Sequence, residues 1–251
     1  MKTTILNSTD ALDATIFAIL YSMNHRLSVT KKRKETEEYE SIFFTKPEGF
    51  IYKPGGVFDL YFPDKPSDKR VFSFASSPTE EELMIGYRRG VSQFKNRLQS
   101  ITEGMEMEIR YVGSALAPLE KNNLFIAGGI GVTTFLSMMK YMIDTNSLTD
   151  THLFYINRND DFAYAKEFEN WKLESENFFL RYINTKRHGR LTAEKLLPFV
   201  QELNNKNRVA YISGPPNMVD HTIHLFESLE VDRDLLQTDS FDGYNEEFTL
   251  G

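Results

Sequence analysis

The 251-residue chain predicts two domains, an antiparallel β-barrel followed by an α/β domain built on a parallel sheet. Three observations carry this reading. From His25 to Tyr111, short segments rich in β-branched and aromatic residues are separated by Gly, Pro and Asp, as closely spaced strands require. From Leu124 onward, apolar runs alternate with helix-like segments, which predicts helices on both faces of a parallel sheet and a ligand crevice at its carboxyl edge. Between the two halves, Asn123-Leu124-Phe125-Ile126-Ala127 runs into Gly128-Gly129-Ile130-Gly131-Val132-Thr133 and then Phe135-Leu136. That strand, glycine turn and helix bring backbone N–H groups to a helix N-terminus, a place suited to a dinucleotide pyrophosphate.

Residues 1–24 predict a helical extension, since Leu12, Ile16, Ile19, Leu20 and Met23 recur at helical spacing behind the caps Ser8, Thr9 and Asp10. We read it as packed on the body of the protein or on a second copy. Residues 25–116 form the expected barrel, with strands at Arg26 to Lys32, Tyr39 to Phe44, Val57 to Phe62, Arg70 to Phe74, Leu83 to Tyr87 and Met105 to Tyr111. Between Gly113 and Asn123 the chain turns to Ala117, Pro118 and charged residues, a linker texture. Residues 117–251 form the α/β domain. Its expected strands are Leu124 to Ala127, His152 to Ile156, Phe178 to Ile183 and Val209 to Ser213, and its expected helices Phe135 to Ile143, Ala163 to Trp171, Ala193 to Glu202 and Met218 to Leu229.

Composition narrows the function. A net charge of -7 argues against nucleic acid, which selects surplus Lys and Arg to displace counterions from phosphates. With no cysteine the chain holds neither a disulfide nor a thiolate-bound iron–sulfur cluster, so any cluster belongs to a partner. The apolar stretch from Ala14 to Met23 is about half of a membrane span, and Asp10 and Asp13 precede it where a signal peptide is basic. The expectation is a soluble, cytoplasmic protein with no membrane span.

Two further segments flank the glycine turn. Upstream lies Arg70-Val71-Phe72-Ser73, offering a forked cation for phosphate, a flat apolar face and a small hydroxyl. Downstream lies Tyr211-Ile212-Ser213-Gly214-Pro215-Pro216-Asn217-Met218, a strand ending in a Gly-Pro-Pro turn before a helix. In order and spacing the three segments resemble the ferredoxin-NADP reductase family of flavoenzymes. That family carries Arg-x-Tyr-Ser, Gly-Gly-x-Gly-x-Thr-Pro and Cys-Gly-Pro-Pro, and Pro54-Gly55-Gly56 is similar to its Pro-Gly-Gln turn.

The resemblance implies FAD and a nicotinamide nucleotide as cofactors. It assigns Arg70, Phe72 and Ser73 to the flavin, with Ser73 facing the hydride-accepting N5, and Gly90-Val91-Ser92 to the flavin pyrophosphate. Gly128, Gly129, Gly131, Val132 and Thr133 with Gly214, Pro215, Pro216 and Met218 are assigned to the nicotinamide nucleotide. Three positions depart from the pattern. Phe72 replaces Tyr and keeps the stacking face. Ser213 replaces the cysteine beside the nicotinamide. Thr134 replaces proline and is expected to loosen the turn. Thr238-Asp239-Ser240-Phe241-Asp242-Gly243-Tyr244 is similar to the ending of some relatives, in which Asp239 relays protons and Phe241 or Phe248 covers the flavin. A packed aromatic tail explains the same residues.

Arg158, directly after Ile156-Asn157, is placed to meet the adenosine ribose, and Lys186-Arg187 adds charge suited to a 2'-phosphate. Asp160 and Asp161 favour the free hydroxyls of NAD instead, so both NADPH and NADH stay open with a lean to NADPH. His221 and His224 lack companions for a metal and read as surface residues. Lys31-Lys32-Arg33-Lys34 reads as a solvated hairpin beside Glu35, Glu37 and Glu38. The resemblance implies an NAD(P)H-dependent flavin oxidoreductase passing electrons to a separate acceptor: a ferredoxin, a flavodoxin, an oxygenase component or a small molecule. The alternative is a docking or regulatory subunit that binds the same cofactors with little turnover.

Overall fold

The computed structural model describes residues 23–114, 116 and 121–241. The expected N-terminal helix, the middle of the linker and Phe248 lie outside them. The first domain contains strands β1 (Asn24–Lys34), β2 (Tyr39–Thr45), β3 (Val57–Tyr61), β4 (Arg70–Ser73), β5 (Glu82–Arg88) and β6 (Glu106–Gly113), with helix α1 (Gln93–Ser100) before β6. They pair in the order β4-β3-β6-β1-β2-β5, antiparallel at every step. Just past β4, Ala75 N donates to Met84 O of β5 at 2.8 Å, so the two ends of the sheet are bridged. The curled sheet encloses Ile42, Phe44, Phe58, Leu60 and Phe74, with Phe58 and Phe74 stacked at 4.1 Å. Helix α1 presses Phe94 and Leu98 into the same core.

The second domain is a five-stranded sheet of β7 (Asn122–Gly128), β8 (Thr151–Asn157), β9 (Phe178–Asn184), β10 (Arg208–Gly214) and β11 (Leu236–Ser240). Its order is β11-β10-β7-β8-β9, and all pairings are parallel. Because strand side chains alternate between faces, Phe125, Leu153, Tyr155 and Tyr211 pack on one side against α2 (Val132–Asp144) and α3 (Ala165–Glu174). Leu124, Ile126, Phe154 and Ile212 pack on the other against Leu196, Phe199 and Leu203 and against α7 (Pro216–Ser228). The short helix α4 (Thr185–His188) follows β9.

Two elements differ from the sequence expectation. The segment from Ala193 is not one helix but α5 (Ala193–Leu196), a 3-10 turn (Leu197–Phe199) and α6 (Val200–Asn204), because Pro198 has no N–H for a continuous ladder. Leu236–Ser240 is a full strand, hidden in the sequence because only Leu236 of its five residues is apolar.

The two sheets share a packed boundary. Tyr39, Ala75 and Met84 of the barrel belong to the same buried cluster as Phe125, Phe135 and Met138. Gly86 of β5 admits the start of α2: a Cβ there would stand 2.1 Å from Tyr164 Oη and 2.6 Å from Thr133 Cγ2. Ser137 on α2 accepts from Gly55 N at 3.2 Å and donates to Ser76 O at 2.6 Å.

Candidate functional site

Two glycine turns meet at the carboxyl edge of the parallel sheet. Gly129 has φ +54°, a left-handed conformation that favours glycine. Gly128–Gly129 then turn into α2, whose cap residue Gly131 provides no side-chain hydrogen bond. A Cβ on Gly131 would lie 2.5 Å from Ser213 O, and one on Gly214 would lie 3.0 Å from Gly128 Cα. These positions must be bare for the β7 and β10 turns to touch. Gly131, Val132 and Thr133 are buried under that contact, with Thr133 Oγ1 donating to Ile130 O at 2.8 Å. They support the turn from below.

Above it opens a cavity of about 450 Å³, of a size suited to a nucleotide. Gly128, Gly129, Pro215, Pro216 and Met218 line it from the two turns, Arg158 from the end of β8, and Glu38, Tyr39 and Arg88 from the barrel. Arg158, Lys186 and Arg190 supply exposed cations to its wall. The other charges near Arg158 are placed differently from the sequence expectation. Asp160 accepts from Asn184 Nδ2 at 2.7 Å and pairs with Arg187 at 2.9 Å, while Asp161 accepts from Thr36 Oγ1 at 2.8 Å and from Glu38 N at 3.2 Å. Neither aspartate lines the cavity, nor does Arg187. Arg190 does, and sequence reasoning missed it, because a lone arginine after a glycine gives no signal of its own. His221 also lines the cavity, with Nε2 3.0 Å from Leu191 O, whereas His224 pairs with Glu227.

Behind the turns, four polar residues from four elements gather at the domain junction. Ser73 ends β4, Thr134 lies in the first turn of α2, and Ser213 and Asp239 are register partners on β10 and β11. Ser73, Thr134 and Ser213 are buried, and Thr134 Oγ1 donates to Ser73 Oγ at 3.0 Å. Burial pushes the Asp239 carboxyl up to about 6, opposed by a hydrogen bond from Thr134. Asp239 Oδ2 and Ser213 Oγ are buried with no partner among the described residues. Through its bond to Ser73, Thr134 ties the first turn of α2 to the end of β4.

The remaining sequence candidates lie on the outer barrel and the C-terminal edge. Arg70 is exposed on the edge strand β4, pairs with Asp68 at 2.8 Å and stands 5.3 Å from the Phe94 ring. Phe72 stacks on the same ring at 6.3 Å. In Gly90-Val91-Ser92, the Ser92 hydroxyl accepts from Lys95 N as the cap of α1, and Val91 is 78% exposed. Phe241 donates its N–H to Gly214 O at 3.1 Å, which brings it beside the second turn. The basic run is paired: Lys31 with Glu82, Lys32 with Glu40, Arg33 with Glu35 and Glu167, and Lys34 with Glu37. Among the described residues no cluster of three His, Asp or Glu side chains is suited to a metal, and no helix is long and apolar enough to cross a membrane.

This donor set fits the groups the motifs imply. Bare glycine turns admit a phosphate backbone, the free cations suit its charge, and the orphaned oxygens of Ser213 and Asp239 await a polar neighbour.

Residues 125–224 match the model of the oxidoreductase NAD-binding domain. The chain is 26% identical over 181 residues to the anthranilate 1,2-dioxygenase electron transfer component of Acinetobacter baylyi, covering 67% of this chain and 52% of that protein. It is 26% identical over 235 residues to the propane 2-monooxygenase reductase component of Rhodococcus jostii, covering 86% and 63%. The chain thus spans between about half and two thirds of the length of these relatives. Ferredoxin-NADP+ reductase from Plasmodium falciparum superposes with a TM-score of 0.75 over 87% of this chain and 96% of that one, at 16% identity. Residues 125–224 thus match an oxidoreductase NAD-binding domain, and the two-sheet topology is the fold of ferredoxin-NADP+ reductase.

Proposed function

We propose that the protein binds FAD on its barrel and a nicotinamide nucleotide on its parallel sheet, and moves a hydride between them before passing electrons to a separate acceptor. One observation carries this reading. The Ser73 end of β4 and the Ser213 end of β10 are buried on either side of the first turn of α2, with the half-buried Asp239 as the register partner of Ser213, beside a cavity lined by both domains. FAD bound there would supply a ring that accepts a hydride and releases single electrons.

The chain's own residues bind, orient and exclude water. Arg70 and the Gly90-Val91-Ser92 turn would hold flavin phosphates, and Phe72 its flat face. Gly128, Gly129, Pro215 and Pro216 would carry the nucleotide, with Arg158 at its adenosine end. Ser73 would offer a hydroxyl to the flavin, Ser213 would line the nicotinamide side, and Asp239 would hold or release a proton. Phe241, anchored to Gly214, would cover the junction. Relatives named as electron transfer and reductase components of oxygenases favour an oxygenase component as the acceptor. Use of reduced nicotinamide fits the cytoplasm, where that pool is held.

The test is to add FAD or FMN to the purified chain and reduce it anaerobically. FAD should bind, and NADPH or NADH should bleach it. Arg70→Ala should weaken FAD binding roughly tenfold to hundredfold, the equivalent of ~1.5–3 kcal/mol for a charge-assisted bond. A chain that stays colourless, or binds only FMN, overturns the reading; a chain that binds FAD but is not bleached is the docking subunit instead.

A further inference from the structure

Read along the chain, Asp160 and Asp161 are the acids expected at the adenosine end, yet neither lines the cavity. A carboxylate does stand on its wall, and it comes from the other domain. Glu38 lies in the hairpin between β1 and β2 of the barrel.

The Glu38 backbone is pinned from both sides. Its N–H donates to Asp161 Oδ2 at 3.2 Å, and its carbonyl accepts from Arg89 N at 2.8 Å. Thr36 Oγ1 donates to the same Asp161 oxygen at 2.8 Å, so Asp161 holds the barrel hairpin against the loop that follows β8. The Glu38 side chain is aimed as a result. Oε2 accepts from Arg88 Nε at 2.9 Å, Oε1 lies 3.5 Å from Asn159 Nδ2, and the side chain is 39% exposed. Asn159 adjoins Arg158, so Oε1 stands at the β8 end of the cavity rather than at the glycine turns.

We propose that Glu38 reads the 2' position of the bound nucleotide from the barrel side, accepting a hydrogen bond from the free ribose hydroxyl of NADH and opposing the 2'-phosphate of NADPH. The argument is one of hydrogen-bond polarity. An ionised carboxylate only accepts, and so do the oxygens of an ionised phosphate. Face to face they have no proton to share, and their like charges add to the mismatch. A hydroxyl brings the missing proton, in a bond strengthened by the charge of its acceptor. The contact with Asn159 is at the outer limit of a hydrogen bond, which leaves Oε1 open to a better donor.

The other ionisable groups on the wall are Arg88, Arg158, Lys186, Arg190 and His221. The wall therefore stays cationic and attracts phosphate. Glu38 weighs against those cations at one point, so both nucleotides are admitted. This inference rests on the nucleotide site proposed above.

The experiment is calorimetric titration of the FAD-loaded chain with NAD+ and with NADP+, which differ only at the 2' oxygen and bind without turnover. Glu38→Gln keeps the shape and removes the charge, so the ratio of NADP+ to NAD+ affinity should rise about tenfold over wild type. Glu37→Gln is the control for net charge. Glu37 pairs with Lys34 at 2.6 Å and does not line the cavity, and its loss should leave the ratio unchanged. Adding Glu38→Gln to Arg88→Met should still raise the ratio over Arg88→Met alone, since the effect belongs to the carboxylate and not to a released Arg88. A ratio unmoved by Glu38→Gln, moved as far by Glu37→Gln, or moved only while Arg88 is present overturns the role of Glu38. A wild-type chain that binds neither nucleotide overturns the nucleotide site itself. If the chain takes up no FAD, the flavin reading falls, and the same titrations on the unloaded chain still decide the role of Glu38.

Discussion

Gly131→Ala sets two effects of opposite sign against each other at the heart of the site. The residue caps α2 with helical angles, φ -57° and ψ -16°. On backbone grounds alone, alanine there should stabilise the fold by ~0.4–1 kcal/mol, because it restricts the unfolded chain. Packing argues the reverse. The new methyl would stand 2.5 Å from Ser213 O, 2.7 Å from the Ser213 carbonyl carbon and 2.8 Å from Gly214 N. All three are backbone atoms, and β10 is buried along its whole length, so no rotamer change relieves the contact.

Reaching ordinary contact requires α2 and β10 to part by about 1 Å, an overpacking strain of ~1–3 kcal/mol. The net expectation is a loss of roughly 1–2 kcal/mol, or about 2–8 °C in Tm. The same displacement would open the gap between the two glycine turns, so nucleotide affinity should fall with stability. Gly104→Ala is the control. Its φ is +82° and nothing lies within 4 Å of its Cβ, so it should lose ~1–2 kcal/mol to left-handed strain alone and leave nucleotide affinity unchanged. Thermal denaturation and calorimetric titration with nucleotide measure both quantities. If Gly131→Ala melts at or above the wild-type temperature and binds nucleotide normally, the contact between the turns is not what keeps position 131 bare.

Two further predictions concern charge. Arg158→Ala and Arg190→Ala should each lower the efficiency of flavin reduction by NADPH about fivefold to thirtyfold, the equivalent of ~1–2 kcal/mol for an exposed contact to a 2'-phosphate, with little change for NADH; equal losses with both nucleotides would show that neither arginine reads the phosphate. Because burial pushes Asp239 from 3.8 up to about 6, the folded chain holds a proton between those values that the unfolded chain has released. The stability this gives is full below 3.8 and lost as pH rises through about 6. Asp239→Asn should remove that slope and gain on the order of 1–3 kcal/mol on wild type between pH 4 and pH 8, and parallel denaturation curves for the two proteins at both pH values would contradict it.

Much of the fold was legible because it is written in local patterns. Strands such as Ser41-Ile42-Phe43-Phe44 in β2 and Leu124-Phe125-Ile126-Ala127 in β7 declare themselves by β-branched and aromatic content. The glycine turn declares itself because a bare backbone is needed where Gly131 meets β10. What stayed hidden has a physical reason in each case. Strand β11 is held by register with β10 rather than by its own composition. Thr134 sits one residue past a recognisable motif, so its hydroxyl looked like a mere departure from proline. Its partner Ser73 is 61 positions away.

The charges around the cavity show most clearly why sequence adjacency misleads. Arg158, Asp160 and Asp161 lie within four residues of one another, and read along the chain they oppose each other for the same ligand. In the fold, Asp161 turns to Thr36, 125 positions away on the barrel hairpin, and Asp160 turns to Asn184 and Arg187. Each carboxylate is spent on holding a loop or a domain. Arg187, counted from sequence as a ligand for phosphate, is spent with them, and Arg190 takes its place on the cavity wall. The balance between a phosphate and a free hydroxyl at the adenosine end is therefore set by which charges the barrel and the β9 end withdraw, and what they leave at the cavity is cationic.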